Sequence, residues 1–199
     1  MHDFAKGSHR AAEVLDSLSE PTEGYKRLGD TRDAVVEAEI VVIYGNPEGS
    51  GMTSDLGDAC VTTSTDPRDP PTRYAEEDFG PYRETLDDIW ERVVGLVGDR
   101  PVIVRAIDSY VPVIADWRLA GVEAECTVAW EAYTNTIRDA AAAFDVPTVS
   151  MYDAFNGPDR TGDPRQKGYI ISDGQHTSPA GREAIVAALH EAGYEPVQR

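Results

Sequence analysis

The chain reads as an α/β protein whose parallel sheet is covered by helices on both faces, and three observations predict it. Short β-branched apolar runs alternate with segments of helical apolar spacing, in the order helix, strand, helix, strand, helix, strand, helix. Stretches rich in glycine, proline and aspartate separate most of these segments and mark loops. With 41% hydrophobic and 27% charged residues in 199, the composition supports one hydrophobic core and one domain. Crossovers between parallel strands are right-handed, so a functional site is expected at the carboxyl ends of the strands.

Each element has a local reason. A helix is expected from Ser8, as cap, because Ala11, Val14, Leu15 and Leu18 recur at helical spacing before Pro21 and Gly24 end it. A short helix over 31 to 38 leads into the run Glu39 to Tyr44, whose isoleucines and valines suit a strand. The glycine-rich stretch Gly45 to Gly51 stops that strand. Residues 57 to 81 hold many Asp, Thr and Pro residues and read as a long loop.

Pro81 suits the first turn of a helix with the stripe Leu86, Ile89, Trp90, Val93 and Val97, closed by Gly98. A second strand covers Pro101 to Ile107, followed by a loop over 108 to 122. The next helix, about 123 to 144, turns Trp130, Tyr133, Ile137, Ala141 and Phe144 inward, and a third strand runs from Thr148 to Tyr152. After a loop through Asn156, Gly157 and Pro158 come the run Gly168 to Ile171 and a polar turn, Ser172 to Thr177. The last helix has Ser178 as cap, Pro179 in its first turn, and Ile185, Ala188, Leu189 and Ala192 as its buried stripe.

The charge narrows the partners. Acidic side chains outnumber basic ones by 36 to 18, a formal net charge of -18. Nucleic acid and anionic membrane both require a basic face, so neither is an expected partner. No apolar run approaches bilayer length, and MHDFAKGSHR contains no signal-peptide core. The four histidines have neither i, i+4 pairing nor cysteines at ligand spacing, so no metal and no cofactor is expected.

One constellation carries chemistry. In Ser172-Asp-Gly-Gln-His-Thr-Ser, Asp173 stands three residues before His176 in a glycine-containing turn at a helix start. A carboxylate so placed can bind one ring nitrogen and leave the other for proton transfer, or both residues can simply cap the helix and decorate the turn. Asn46, directly after the first strand, and Gly7, before the first helix, can supply an amide N–H to a developing oxyanion. Tyr44, Arg105 and Asp108, at strand ends, are candidate pocket residues, although Arg105 and Asp108 could equally form an ion pair that ties down a loop.

Together these pieces resemble the SGNH/GDSL hydrolase family over nearly the whole chain. Phe4 to Leu15 looks like the family block whose glycine precedes a helix, Ile40 to Pro47 like the Gly-x-Asn-Asp block, and Ser172 to Gly181 like the Asp-x-x-His block. Tyr133 to Ala140 and Val146 to Asp153 fit the helix and strand before it. The resemblance implies a flavodoxin-like three-layer α/β/α fold and hydrolysis of a small-molecule ester, an acyl ester or an acylated carbohydrate. It implies His176 as general base and then acid, Asp173 orienting it, and Gly7 with Asn46 in the oxyanion hole.

Two departures stand out: Tyr44 and Pro47 replace the family's usual Gly and Asp, and no Gly-Asp-Ser occurs upstream of Gly7. The resemblance would put a first strand, a helix and most of a second strand before residues 2 to 5. That first strand would lie inside the sheet, so a chain without it is expected to show open strand edges, self-association and little esterase activity. Ser8, better read as a helix cap, and Ser50, in a loop the family does not use for its nucleophile, are poor substitutes. The nucleophile is unassigned.

Two other readings belong to different classes: a ligand-binding remnant without catalysis, and a nucleotide-binding module using the Gly45 to Gly51 loop. The second lacks the Gly-Lys-Ser/Thr of a phosphate loop and carries Glu48, which would repel phosphate. Cys60 and Cys126 each lie near the start of a segment following a strand-end loop. They are either buried thiols or a disulfide; a bridge would stabilise by about 4 kcal/mol on the chain-entropy account and would point to an exported protein. Localisation is otherwise open.

Overall fold

A computed structural model describes residues 11–19, 28–44 and 79–195. Its described elements are α1 (Ala11–Leu18), α2 (Leu28–Glu37), β1 (Ile40–Ile43), α3 (Gly80–Val97), β2 (Ile103–Ile107), α4 (Ile114–Ala120), α5 (Glu123–Ala142), β3 (Thr148–Val149), α6 (Met151–Asn156) and α7 (Pro179–Glu191). The three strands pair in parallel in the order β1-β2-β3, with Val41 beside Val104 and Ile107 beside Val149. The protein is a mixed α/β fold.

Alternation along the strands divides the core into two clusters. Val41, Val104 and Ala106 belong to the larger cluster, under α1, α3 and α5, with Tyr82, Leu86, Ile89, Trp90, Val93 and Val97 on the buried side of α3. Pro81 lies in the first turn of α3, and Gly98, at φ 56°, closes the helix with an N–H donated to Val94. On the opposite sheet face, Val149, Met151, Phe155 and Ile170 pack with Ile107, Tyr110, Ile185 and Leu189. There α7 lies over β2 and β3.

The cover is incomplete over β1. Ile40 and Val42 are 53% and 41% exposed, and among the described residues only β2 pairs with this strand. The expected strand and helix upstream, and the start of the first helix at Ser8, lie outside the described residues.

Several expectations need correction. The second helix begins at Leu28, before the expected Thr31. The segment 108 to 122 is not all loop: α4 occupies Ile114–Ala120, buries Ile114 and Trp117, and ends at Gly121 with φ 72°. The third strand stops at Val149 instead of reaching Tyr152. Its continuation is a helix because Asp108 Oδ1 accepts the N–H groups of Met151 and Tyr152, at 2.6 and 3.1 Å, while Ser150 Oγ accepts that of Asp153 at 3.1 Å. Three orphan donors of a helix start are thereby satisfied. The run Gly168 to Ile171 makes only one antiparallel bridge, Ile170 with Thr177. The stripe expected to be buried on the last helix is only half so: Ile185, Ala188 and Leu189 are half-buried against the second cluster, and Ala192, just past α7, is exposed.

Candidate active site

The turn before α7 is built by its own side chains. Gly174 takes φ 79°, a left-handed conformation that other residues adopt at a cost, and donates its N–H to Ile171 O at 3.0 Å. Ile171 N donates to His176 O at 2.9 Å, which closes the loop. Inside it, Asp173 Oδ1 accepts the backbone N–H groups of Gln175 and His176, both at 2.9 Å. The second carboxylate oxygen lies 2.7 Å from His176 Nδ1.

The electrostatics follow from these contacts. The backbone N–H of Gln175, then that of His176, and finally the His176 side chain hold the Asp173 carboxyl down at about 2, well under the usual carboxylate range. Asp173 is therefore an anion in any neutral medium. An anionic acceptor at Nδ1 selects the Nδ1–H tautomer of neutral His176 and leaves the Nε2 lone pair available. The pair is open to solvent, with His176 77% and Asp173 43% exposed.

Two anchors place this turn. Ser178 caps α7 by accepting Gly181 N–H at 3.0 Å, and its hydroxyl donates to Gly168 O at 2.5 Å. Gly181 lets the first turn of the helix approach the strand-like segment: a Cβ there would stand 2.2 Å from Tyr169 O. The second anchor is Tyr110, just past the end of β2, whose hydroxyl donates to Gln175 O at 3.0 Å. So the dyad sits by the carboxyl end of β2, where a parallel sheet is expected to present its site.

Beside it lies a group of hydroxyls. Tyr44 OH is 3.4 Å from Ser109 Oγ and 3.5 Å from Tyr133 OH, which joins the ends of β1 and β2 to α5. Burial, followed by the nearby Tyr44, pushes the Tyr82 and Tyr133 phenols well up, so both stay neutral. Tyr44 is the exposed member of the group; Ser109 is buried.

The other strand-end candidates are committed elsewhere. Asp108 is buried, accepts from Arg138 Nε at 2.8 Å and from Arg138 Nη2, and caps α6 through its other oxygen. Arg105 lies on the face covered by α7, where it donates to Gly193 O at 3.1 Å and Glu195 O at 2.9 Å beyond the end of that helix. No ion pair joins Arg105 to Asp108. Cys126 is buried in α5, and no free cysteine occurs among the described residues. Gly7, Ser8, Asn46, Ser50, Cys60 and the Gly45 to Gly51 loop lie outside the described residues.

Sequence reading missed Ser109, Tyr110 and Tyr133 as neighbours of the site. The available signal was position, since Ser109 and Tyr110 directly follow a predicted strand. Among the described residues no hydroxyl is hydrogen-bonded to His176 Nε2, and no group of three or more His, Cys, Asp or Glu side chains converges. No described helix is long and apolar enough to cross a membrane. Comparison of the chain with protein-family models, curated proteins and solved structures finds no match.

Proposed function

We propose that this chain serves ester hydrolysis of the SGNH/GDSL type, with Asp173 and His176 as its acid/base pair. The observation that supports it best is the 2.7 Å contact between Asp173 and His176 Nδ1, which leaves Nε2 directed to solvent beside the end of β2. The parallel order of the three strands agrees with a flavodoxin-like sheet in which they are the last three.

In this reading His176 Nε2 takes the proton of a serine hydroxyl as that oxygen attacks the ester carbonyl. The N–H of Gly7 and the side-chain amide of Asn46 bind the oxyanion that forms. His176 then passes its proton to the departing alcohol, and the same steps with water in place of serine release the acid. Asp173 keeps its charge throughout and stabilises the imidazolium. Tyr44 lines the pocket, and this reading pairs Cys126 with Cys60 in a disulfide, which thiol titration with and without reductant tests.

The serine has no assigned position, since Gly-Asp-Ser does not occur in the 199 residues. A stretch with base and orienting acid but no serine should turn over esters several orders of magnitude more slowly than a complete set. The test is hydrolysis of short acyl esters by this chain and by a longer form bearing a Gly-Asp-Ser block, each with and without His176→Ala. Hydrolysis that needs both the block and His176 supports the proposal. Equal rates with His176→Ala would sink it, and full activity of the 199-residue chain would overturn the expectation that a Gly-Asp-Ser block is required.

The lack of any Gly-Asp-Ser in the 199 residues favours one second reading, a binding protein that retains the pocket. Titration with the carboxylic acid products of esters separates the two: saturable binding without turnover in either form supports it.

A further inference from the structure

We infer that Tyr110 is a positioning residue for His176, fixing the one peptide group through which the end of β2 sets the direction of the imidazole. The inference rests on the proposed acid/base role of Asp173 and His176, and adds a residue that the resemblance does not supply.

The peptide in question joins Gln175 to His176, and it is held at both ends. Its carbonyl accepts from the Tyr110 hydroxyl at 3.0 Å, and its N–H donates to Asp173 Oδ1 at 2.9 Å. A peptide unit is planar, so clamping its oxygen and its nitrogen together fixes the plane from which the His176 side chain departs. Donation to the carbonyl also polarises the N–H and strengthens the bond to Asp173. Asp173 alone cannot do this. It belongs to the same six-residue turn as His176 and moves with it.

Tyr110 is itself firmly placed. Its ring stacks on Phe155 with centroids 4.2 Å apart and planes 14° from parallel, and Phe155 meets Tyr169 edge to face at 5.3 Å. The next residue, Val111, is held through both its N–H and its carbonyl by buried Asn156, each bond 2.9 Å. Burial, Tyr44 and the Asp173 charge, in that order, push the Tyr110 phenol far up, so it remains a donor at neutral pH. The aromatic stack therefore links α6, the end of β2 and the turn into one support. Remove the hydroxyl alone, and the turn loses its fixed point on the sheet, so the Gln175–His176 peptide can tilt and the contact of Asp173 with His176 Nδ1 loosens.

Tyr110→Phe makes that change while preserving the ring stack. The readout is the pair of imidazole ¹⁵N shifts of His176, which report which nitrogen carries the proton, taken at about pH 8.5, two units above the ordinary imidazole value. The expected result is the Nδ1–H form in the unaltered chain and a tautomer mixture in Tyr110→Phe, with unchanged near-ultraviolet circular dichroism. Tyr194→Phe, which alters an exposed phenol away from the turn, should leave the shifts alone. In the form that hydrolyses esters, Tyr110→Phe should lower kcat about three- to tenfold, the worth of one neutral hydrogen bond, with KM unchanged.

Identical His176 shifts in Tyr110→Phe and the unaltered chain would overturn the inference. If Tyr110→Phe moves the shifts but no form hydrolyses esters, Tyr110 positions His176 and the hydrolase proposal fails. If Tyr110→Phe unfolds, Phe155→Leu provides the second arm: it removes the stack yet keeps the hydroxyl, and should broaden the His176 resonances.

Discussion

Asp108 and Asp173 make nearly the same bonds and have opposite consequences. Each offers one carboxylate oxygen to two successive backbone N–H groups and the other to a basic side chain: Met151, Tyr152 and Arg138 for Asp108, Gln175, His176 and the imidazole for Asp173. Asp108 is wholly buried and its partner always charged, whereas Asp173 is 43% exposed and its partner can gain or lose a proton. The first arrangement is a fixed joint between β2, α5 and α6. The second keeps an imidazole aimed while leaving its far nitrogen in solvent. Burial and partner, not the bonding pattern, separate the buried structural aspartate from the one proposed to orient a base.

Substitution should expose that difference. Asp173→Asn is expected to lower ester hydrolysis, in the form that shows it, by about 10³- to 10⁴-fold, because the amide can offer its N–H to Nδ1 and favour the wrong tautomer. The Tm of the same variant at neutral pH should fall only modestly, since the side chain is open to water and its bonds are screened. Asp108→Ala should do the reverse to stability, lowering unfolding free energy by about 3 kcal/mol, the lower end for breaking a buried pair whose guanidinium is partly exposed. Urea titration measures it. Equal stability losses for the two variants would erase the distinction.

Smaller effects sharpen it. Gly181→Ala forces a methyl against Tyr169 O and should cost about 1 to 3 kcal/mol, visible as a lower Tm and as altered His176 resonances. Acid gives a further check with a definite sign. The Asp173 carboxyl is held at about 2, beneath the ordinary value, so its bonds add stability above that ordinary value and lose it as pH falls toward 2. A chain with Asp173→Asn should therefore show a shallower fall in Tm between neutral pH and acid. Tyr44→Phe, which removes only the long contacts to Ser109 and Tyr133, should cost about 0.5 to 1 kcal/mol.

What the chain discloses by itself follows the range of each interaction. The α3 stripe and the β2 run are periodic and local, so composition and spacing suffice to place them. Asp173 and His176 stand three residues apart in one turn, so their proximity is legible from that spacing and Gly174, whereas the direction of the imidazole is not. Asp108 was legible only as a strand-end residue. Its partner Arg138 is 30 positions away, and the N–H groups it accepts convert an expected strand into α6. Tyr110 and Gln175, 65 positions apart, meet only because the sheet and α7 bring them together. Helix α4 hid in a predicted loop because its seven residues, Ile114 to Ala120, give too short a pattern to read.

The most direct test of the account is the tautomer of neutral His176 in the unaltered chain and in Asp173→Asn, read from its ring ¹⁵N shifts. The account predicts the proton on Nδ1 in the former and on Nε2 in the latter. A proton on Nε2 in both would contradict it, since His176 would then have no free base directed at a substrate.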